Sequence, residues 1–243
     1  MKLIAIDAGN TRIKWGVHDG AAWVASGALP TGDAARLREV AAGWPHEACV
    51  VACNVAGLAV ESAIGSALEE RFPAPLWLRS SAGVCGVRNA YEQPASLGAD
   101  RWAALIGAQV LASADCLVVC AGTATTVDWL DAGGTFRGGL ILPGIDLMRA
   151  SLARDTAQLP LAEGHFSAAP RNTMDAIVSG CLHAQIGAIE RMFAGLPPHP
   201  QAICLLTGGA APRIAPHLLI PFKLTENLVL DGLLRFAVAH PPC

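Results

Sequence analysis

The chain opens on an apolar run, Leu3–Ile6, closed by Asp7, a turn through Ala8, Gly9, Asn10, Thr11 and Arg12, and a second extended run from Ile13. β-branched residues flanking a Gly-Asn turn predict a β-hairpin. Residues 28–44 (ALPTGDAARLREVAAGW) predict a helix starting near Thr31 or Asp33, and residues 48–55 (ACVVACNV) a strand. A helix over 57–72, with Glu and Arg outward, and a short strand over 74–80 follow. Strands and helices alternate through the first half, the mark of an α/β layered fold.

At residues 116–142 the opening pattern returns: apolar strand, Ala-Gly turn, strand, Gly-Gly turn, strand. Setting Ala8-Gly9 against Ala121-Gly122 places Asp7 opposite Cys120, so the chain reads as a duplication with halves 1–114 and 115–243 and a ligand cleft between them. Helices are predicted over 145–159, over 172–196 with Asn172 as N-cap and Asp175 in the first turn, and over 226–239, with a strand over 202–209.

Composition narrows the function. Among 243 residues, 53% are hydrophobic and 15% charged, which excludes a disordered chain. Seventeen basic residues against 20 acidic ones give a net charge of -3 and no basic field for nucleic acid, so a small ligand is expected. Mean hydropathy is +0.42, yet no uncharged apolar stretch reaches the ~18 residues of a membrane span. No secretory signal opens the sequence; a cytoplasmic protein without membrane or nucleic-acid partners is the expectation. The eight cysteines have no Cys-x-x-Cys spacing and read as small buried hydrophobes.

Three turns follow apolar strands and carry the candidate chemistry. Asp7 at a strand end can hold Mg²⁺ directly or through water, Gly9 lets backbone N–H groups approach phosphate oxygens, and Asn10, Thr11 and Lys14 add donors. Gly122-Thr123-Ala124 offers a small-residue backbone with hydroxyls beside it, and Thr207-Gly208-Gly209 a third close approach. No Walker or dinucleotide Gly pattern is present. Gly98-Ala99-Asp100-Arg101 opens a helix: on the residues alone they read first as an N-cap Asp and a surface Arg, while Asp100 can also accept a proton and Arg101 fork a carboxylate.

These motifs together resemble the sugar kinase, actin and heat-shock ATPase superfamily, and within it the type III pantothenate kinases (the Bvg accessory factor-like family). The resemblance rests on residues 7–14 (DAGNTRIK), 98–108, 121–128 (AGTATTVD), 138–144, 155–160 (DTAQLP), 172–180 and 206–209, in the family's order. It implies an actin-like ATPase fold of two ribonuclease H-like halves and ATP-dependent phosphorylation of pantothenate to 4′-phosphopantothenate, the first step of coenzyme A biosynthesis. It implies Asp100 as general base; Asp7, Ala8, Gly9, Asn10, Thr11, Arg12, Ile13, Lys14 and Thr123 on ATP; and Tyr91, Gly98, Ala99, Asp100, Arg101 and Thr173 on pantothenate. It further implies Mg²⁺ at Asp7, a monovalent cation (K⁺ or NH₄⁺), and a homodimer in which Thr173 reaches the other subunit's site. The rival reading is a non-catalytic nucleotide-binding regulator or transcription accessory protein, since fold does not fix function.

One position departs from the family. Relatives commonly carry an Asp where Cys120 stands, as ligand to the monovalent cation. A neutral thiol is a poor ligand for a hard cation, so the cation is absent or replaced, or backbone carbonyls suffice.

Overall fold

The first strand, β1 (Leu3–Ala8), is buried on both faces, which is why its sequence is nearly continuous in apolar residues rather than alternating. In the computed structural model, which describes residues 2–159, 161 and 163–241, the chain divides into two compact units. Pro160 of the 155–160 motif and Cys243 lie outside the described residues. The first unit runs through Leu111 and takes in Gly134–Phe136 and the C-terminal segment from Asn227; the second holds Ala112–Gly133 and Arg137–Glu226.

In the first unit, β1 pairs antiparallel with β2 (Arg12–His18), which pairs antiparallel with β3 (Trp23–Pro30). The predicted hairpin is therefore present, extended by a strand that the sequence reading passed over. β3 is an exposed edge rich in Ala, Ser and Gly, without the alternation that marks a strand. Pairing also displaces the start of the helix predicted near Thr31: residues Thr31–Arg36 form a 3₁₀ turn, and α1 covers only Leu37–Ala41. β4 (Cys49–Asn54) runs parallel to β1 on its other side, α2 (Leu58–Leu68) follows, and β5 (Leu76–Trp77) completes a sheet of order β3-β2-β1-β4-β5. One face of that sheet, through Ile4, Ile6, Ile13 and Val50, packs on Leu37, Ile64 and Leu68 of α1 and α2.

A short hairpin, β6 (Gly83–Val84) and β7 (Val87–Asn89), precedes α3 (Ala99–Ala108), nearly all of it buried. In the second unit, β8 (Cys116–Ala121), β9 (Ala124–Leu130) and β10 (Thr135–Pro143) are followed by α4 (Ile145–Asp155), α5 (Thr173–Phe193), β11 (Ile203–Thr207), the short α6 (Ala211–Ile214) and β12 (Phe222–Leu224). The strand order is β12-β11-β8-β9-β10, with β8 and β9 antiparallel and β11 and β12 parallel to β8. Read from β10, this is the order of the first sheet again. β1 and β8 begin and end 113 positions apart, the offset that set Asp7 opposite Cys120. Leu117, Val119 and Val127 of this sheet pack on Ile177, Cys181 and Ile189 of α5. The expected Asn172 cap is present, accepting a hydrogen bond from the Asp175 backbone N–H at 2.9 Å.

The last helix, α7 (Leu228–Ala239), packs against α3, β1 and β4, so the C-terminal segment completes the first unit. The first two residues of β10 also belong there, pairing in parallel with Arg88 and Asn89 of β7. Contact between α3 and α7 is close enough to exclude side chains. A Cβ on Gly232 would sit 1.8 Å from the Ala103 carbonyl oxygen, and one on Gly107 would sit 2.3 Å from that of Leu228. No helix among the described residues is long and apolar enough to cross a membrane.

Gly232→Ala should therefore push α3 and α7 apart and lower the unfolding free energy by about 2–3 kcal/mol or more, the cost of overpacking against rigid backbone. Gly65→Ala, in α2 with open space around it, should raise it by about 0.5–1 kcal/mol. Urea unfolding of the two variants checks both signs; equal effects would contradict the packing account.

Candidate active site

Asp7 stands at the C-terminal end of β1 with only 6% of its surface exposed. Sheet register gives it two neighbours. Lys14, its antiparallel partner on β2, brings Nζ to 3.9 Å from Oδ2; Cys53, its parallel partner on β4, donates a thiol hydrogen bond to Oδ1 at 3.6 Å. Burial pushes the Asp7 carboxyl up to about 6; Lys14 pulls it down, the negative charge of Asp100 raises it, and the Cys53 hydrogen bond lowers it. The turn beyond Asp7 is closed by the Gly9 N–H to the Arg12 carbonyl at 3.1 Å, and braced by Thr31, whose hydroxyl donates to the Gly9 carbonyl at 2.6 Å. Asn10, Thr11, Arg12 and Lys14 are exposed there. Ala8 and Ile13 are buried, Ile13 in the core, so only their backbone is available to a ligand.

Gly98 is the N-cap of α3, and Asp100 and Arg101 lie in its first turn; the Asp is thus not the cap, nor the Arg a surface residue. Arg101 is 5% exposed. Its Nη1 donates to the Tyr91 hydroxyl at 3.0 Å, and its guanidinium carbon lies 5.7 Å from the centre of the Tyr91 ring. Asp100 is half-buried, and its Oδ1 accepts from the Arg101 backbone N–H at 2.8 Å. Ala99 is buried, so its side chain is not available to a ligand. Tyr91 is itself set by Asn89, whose Oδ1 accepts the Tyr91 backbone N–H at 3.1 Å while its Nδ2 donates to the Pro94 carbonyl at 3.0 Å. Asp7, Lys14, Gly98, Asp100, Arg101 and Tyr91 all belong to the first unit.

In the second unit, Thr123 is exposed at the tip of the β8–β9 hairpin, where the Gly144 N–H donates to its carbonyl at 2.8 Å. The third glycine turn rests on the same hairpin. Gly208 has φ +101° and approaches so closely that a Cβ would fall 2.3 Å from the Ala121 carbonyl, which the Ala210 N–H also reaches at 3.0 Å. Two of the three turns singled out in the sequence therefore meet in space. Thr173 is the exposed first residue of α5, at the edge of a groove of about 880 Å³ between α4 and α5.

Asp7 fits Mg²⁺ bound largely through water and phosphate oxygens: a hard, buried carboxylate oxygen with Asp100 as a second negative charge. An all-protein cage is not built, for the described residues contain no group of three or more His, Cys, Asp or Glu that could hold a metal. For the monovalent cation, Cys120 offers a soft thiol where a hard oxygen donor would be needed. Cys120 pairs with Thr126 across the hairpin, and Val118 with Asp128, so the thiol, the Thr126 hydroxyl and the Asp128 carboxylate share one face. A thiol occupies the place nearest the hairpin tip, and Asp128 lies one pair further down, fully buried. Cys53, Asn89 and Thr31 escaped the sequence reading because each acts through a partner distant in the chain; Asn89, two residues before Tyr91, carried the one local signal, an Asx-turn pattern.

The type III pantothenate kinase family model matches residues 3–195. A type III pantothenate kinase of Aromatoleum aromaticum is 59% identical over 231 residues, covering 95% of this chain and 96% of that one. Among solved structures, a Campylobacter jejuni protein assigned to the Baf family of transcriptional activators superposes with a TM-score of 0.66 at 20% identity, over 98% of this chain and 99% of its own. MreB5 of Spiroplasma citri bound to ADP gives 0.53 at 10% identity, over 95% and 94%. The two sheets of equal strand order have the actin-like ATPase fold, and the chain belongs to the type III pantothenate kinase family.

Proposed function

We propose that this chain transfers the γ-phosphoryl group of ATP to the primary alcohol of pantothenate, giving 4′-phosphopantothenate for coenzyme A synthesis. The observation that carries the assignment of roles is the grouping of a buried Asp7, an electrostatically coupled Asp100 and a buried Arg101 within one unit of a family member. Asp7 holds Mg²⁺, which when bound neutralises phosphate charge. The turn from Ala8 to Lys14 offers backbone and side-chain donors to phosphate oxygens, and Thr123 does so from the second hairpin. Asp100 receives the hydroxyl proton as the new O–P bond forms, and Arg101 with Tyr91 fixes the carboxylate at the far end of pantothenate. A purely regulatory nucleotide-binding role would leave Asp100 and Arg101 without a task. We also propose a cytoplasmic homodimer, with Thr173 reaching the substrate of the partner subunit; its exposure on the rim of an apolar groove supports this.

Because the transition state of phosphoryl transfer is loose, positioning outweighs base strength. Asp100→Asn should lower kcat by about 10²-fold while the KM for ATP changes by less than about threefold. Steady-state kinetics with mass detection of phosphopantothenate measures both, and wild-type turnover would remove Asp100 from the reaction.

Asp7 should cost the metal-free protein stability at neutral pH. Its folded carboxyl titrates near 6 against an ordinary 3.8, so the folded state binds the proton more tightly than the unfolded one, and stability falls as pH rises through that window. Asp7→Asn should therefore be more stable than the wild type above pH 6, with the gain shrinking to nothing towards 3.8. Thermal unfolding in a chelator across pH checks the sign.

For the cation, we propose that Cys120 relieves the chain of a K⁺ requirement. Replacing K⁺ by Na⁺ should change wild-type kcat by less than about twofold, whereas Cys120→Asp, which restores a hard oxygen donor, should make it K⁺-dependent. A strong K⁺ dependence of the wild type would overturn this.

A further inference from the structure

A buried guanidinium held by in-plane hydrogen bonds alone is free to tip out of its plane, and a carboxylate fork requires that plane to be fixed. Phe136 meets this need. It lies on the first residues of β10, fully buried, with its ring centre 5.6 Å from the guanidinium carbon of Arg101. The Tyr91 ring stands at 5.7 Å from the same carbon, and the two rings are 5.0 Å apart at 46°. Both distances fall within the range of cation–π attraction, so contact with two rings restrains the guanidinium in addition to its N–H bonds. The backbone of Phe136 is pinned as well: it pairs with Asn89 of β7, and its carbonyl accepts the Ala90 N–H at 3.1 Å. That strand pairing ties Phe136 to the segment in which Asn89 sets Tyr91, so ring, ring and guanidinium form one assembly.

We propose that Phe136 is a positioning residue for substrate selection: together with Tyr91 its ring holds the Arg101 guanidinium in the plane that accepts the substrate carboxylate. The proposal rests on the reading of Arg101 as the carboxylate-binding residue. Phe136 touches no substrate in this scheme; its effect passes through Arg101 and falls on carboxylate recognition, not on phosphoryl transfer.

The test compares kcat/KM for pantothenate with that for pantothenol, in which a hydroxymethyl group replaces the carboxylate. Their ratio is the carboxylate preference. Arg101→Met should abolish it. Phe136→Leu should lower it about five- to tenfold, chiefly through the KM for pantothenate, with kcat and the KM for ATP held within about twofold. Monofluoro- and trifluorophenylalanine placed at position 136 weaken the ring's negative face at nearly constant shape; they should lower the preference stepwise with little change in thermal unfolding, and they decide the matter should the Leu variant not fold. If Arg101→Met abolishes the preference while the fluorinated series and Phe136→Leu retain it, or if activity on both substrates falls equally, the proposal is overturned and the reading of Arg101 stands. If Arg101→Met keeps the wild-type preference, that reading fails and the proposal falls with it.

Discussion

Keeping an ionisable carboxylate at the end of a strand buried on both faces is the constraint around which the first unit is arranged. Leu3, Ala5 and Asp7 point to one face of the sheet, and the first two are wholly apolar, so Asp7 ionises against a desolvation penalty that Lys14 and Cys53 only partly offset. The neighbours follow from register: an antiparallel partner supplies the ammonium, a parallel one the thiol. α3 then adds Asp100, a second negative charge. A carboxylate so short of counter-charge is one that a cation would relieve, which is the electrostatic ground for the metal role proposed for Asp7.

The duplicated sheets put the same geometry to different uses. β1 and β8 are equivalent strands, each paired to a following antiparallel strand and to a later parallel one, yet one ends in Ile-Asp-Ala and the other in Val-Cys-Ala. The backbone features persist, because both hairpins turn on an Ala-Gly step and present small residues at the tip. The charge does not persist. The residues proposed for proton transfer and substrate recognition are gathered in the first unit, while the second has the Thr123 hairpin with the Gly208 turn resting on it.

How much of this could be read from the sequence followed from how local each signal was. The hairpin around Gly9, the strand ending in Cys120, the Asn172 cap and the helix carrying Asp100 all announce themselves within a few residues through apolar runs, turn residues and caps. β3 did not, because an edge strand of Ala, Ser and Gly exposes most of itself and lacks alternation. Arg101 reads as a surface residue only until Tyr91 and Phe136 close over it, and nothing in the sequence places residue 136 beside residue 89. Asp128 faces the same way as Cys120 through a strand register that periodicity alone could not assign.

The docking of α7 onto α3 and β1 has a consequence for biogenesis. The unit that carries Asp7 and Asp100 opens with β1 but is completed by α7, which begins 139 positions after the end of β7. A ribosome releases the N-terminal end first, so β1 to α3 emerge with the surface meant for α7 still uncovered, and vectorial folding of that unit waits for α7 to emerge. The Gly107–Gly232 contact closes 125 positions and the Trp23–Asp231 hydrogen bond 208, and loops so long place the docking of α7 late in folding. A nascent or clipped chain that lacks α7 leaves Gly107 and the buried face of α3 without the backbone they pack against.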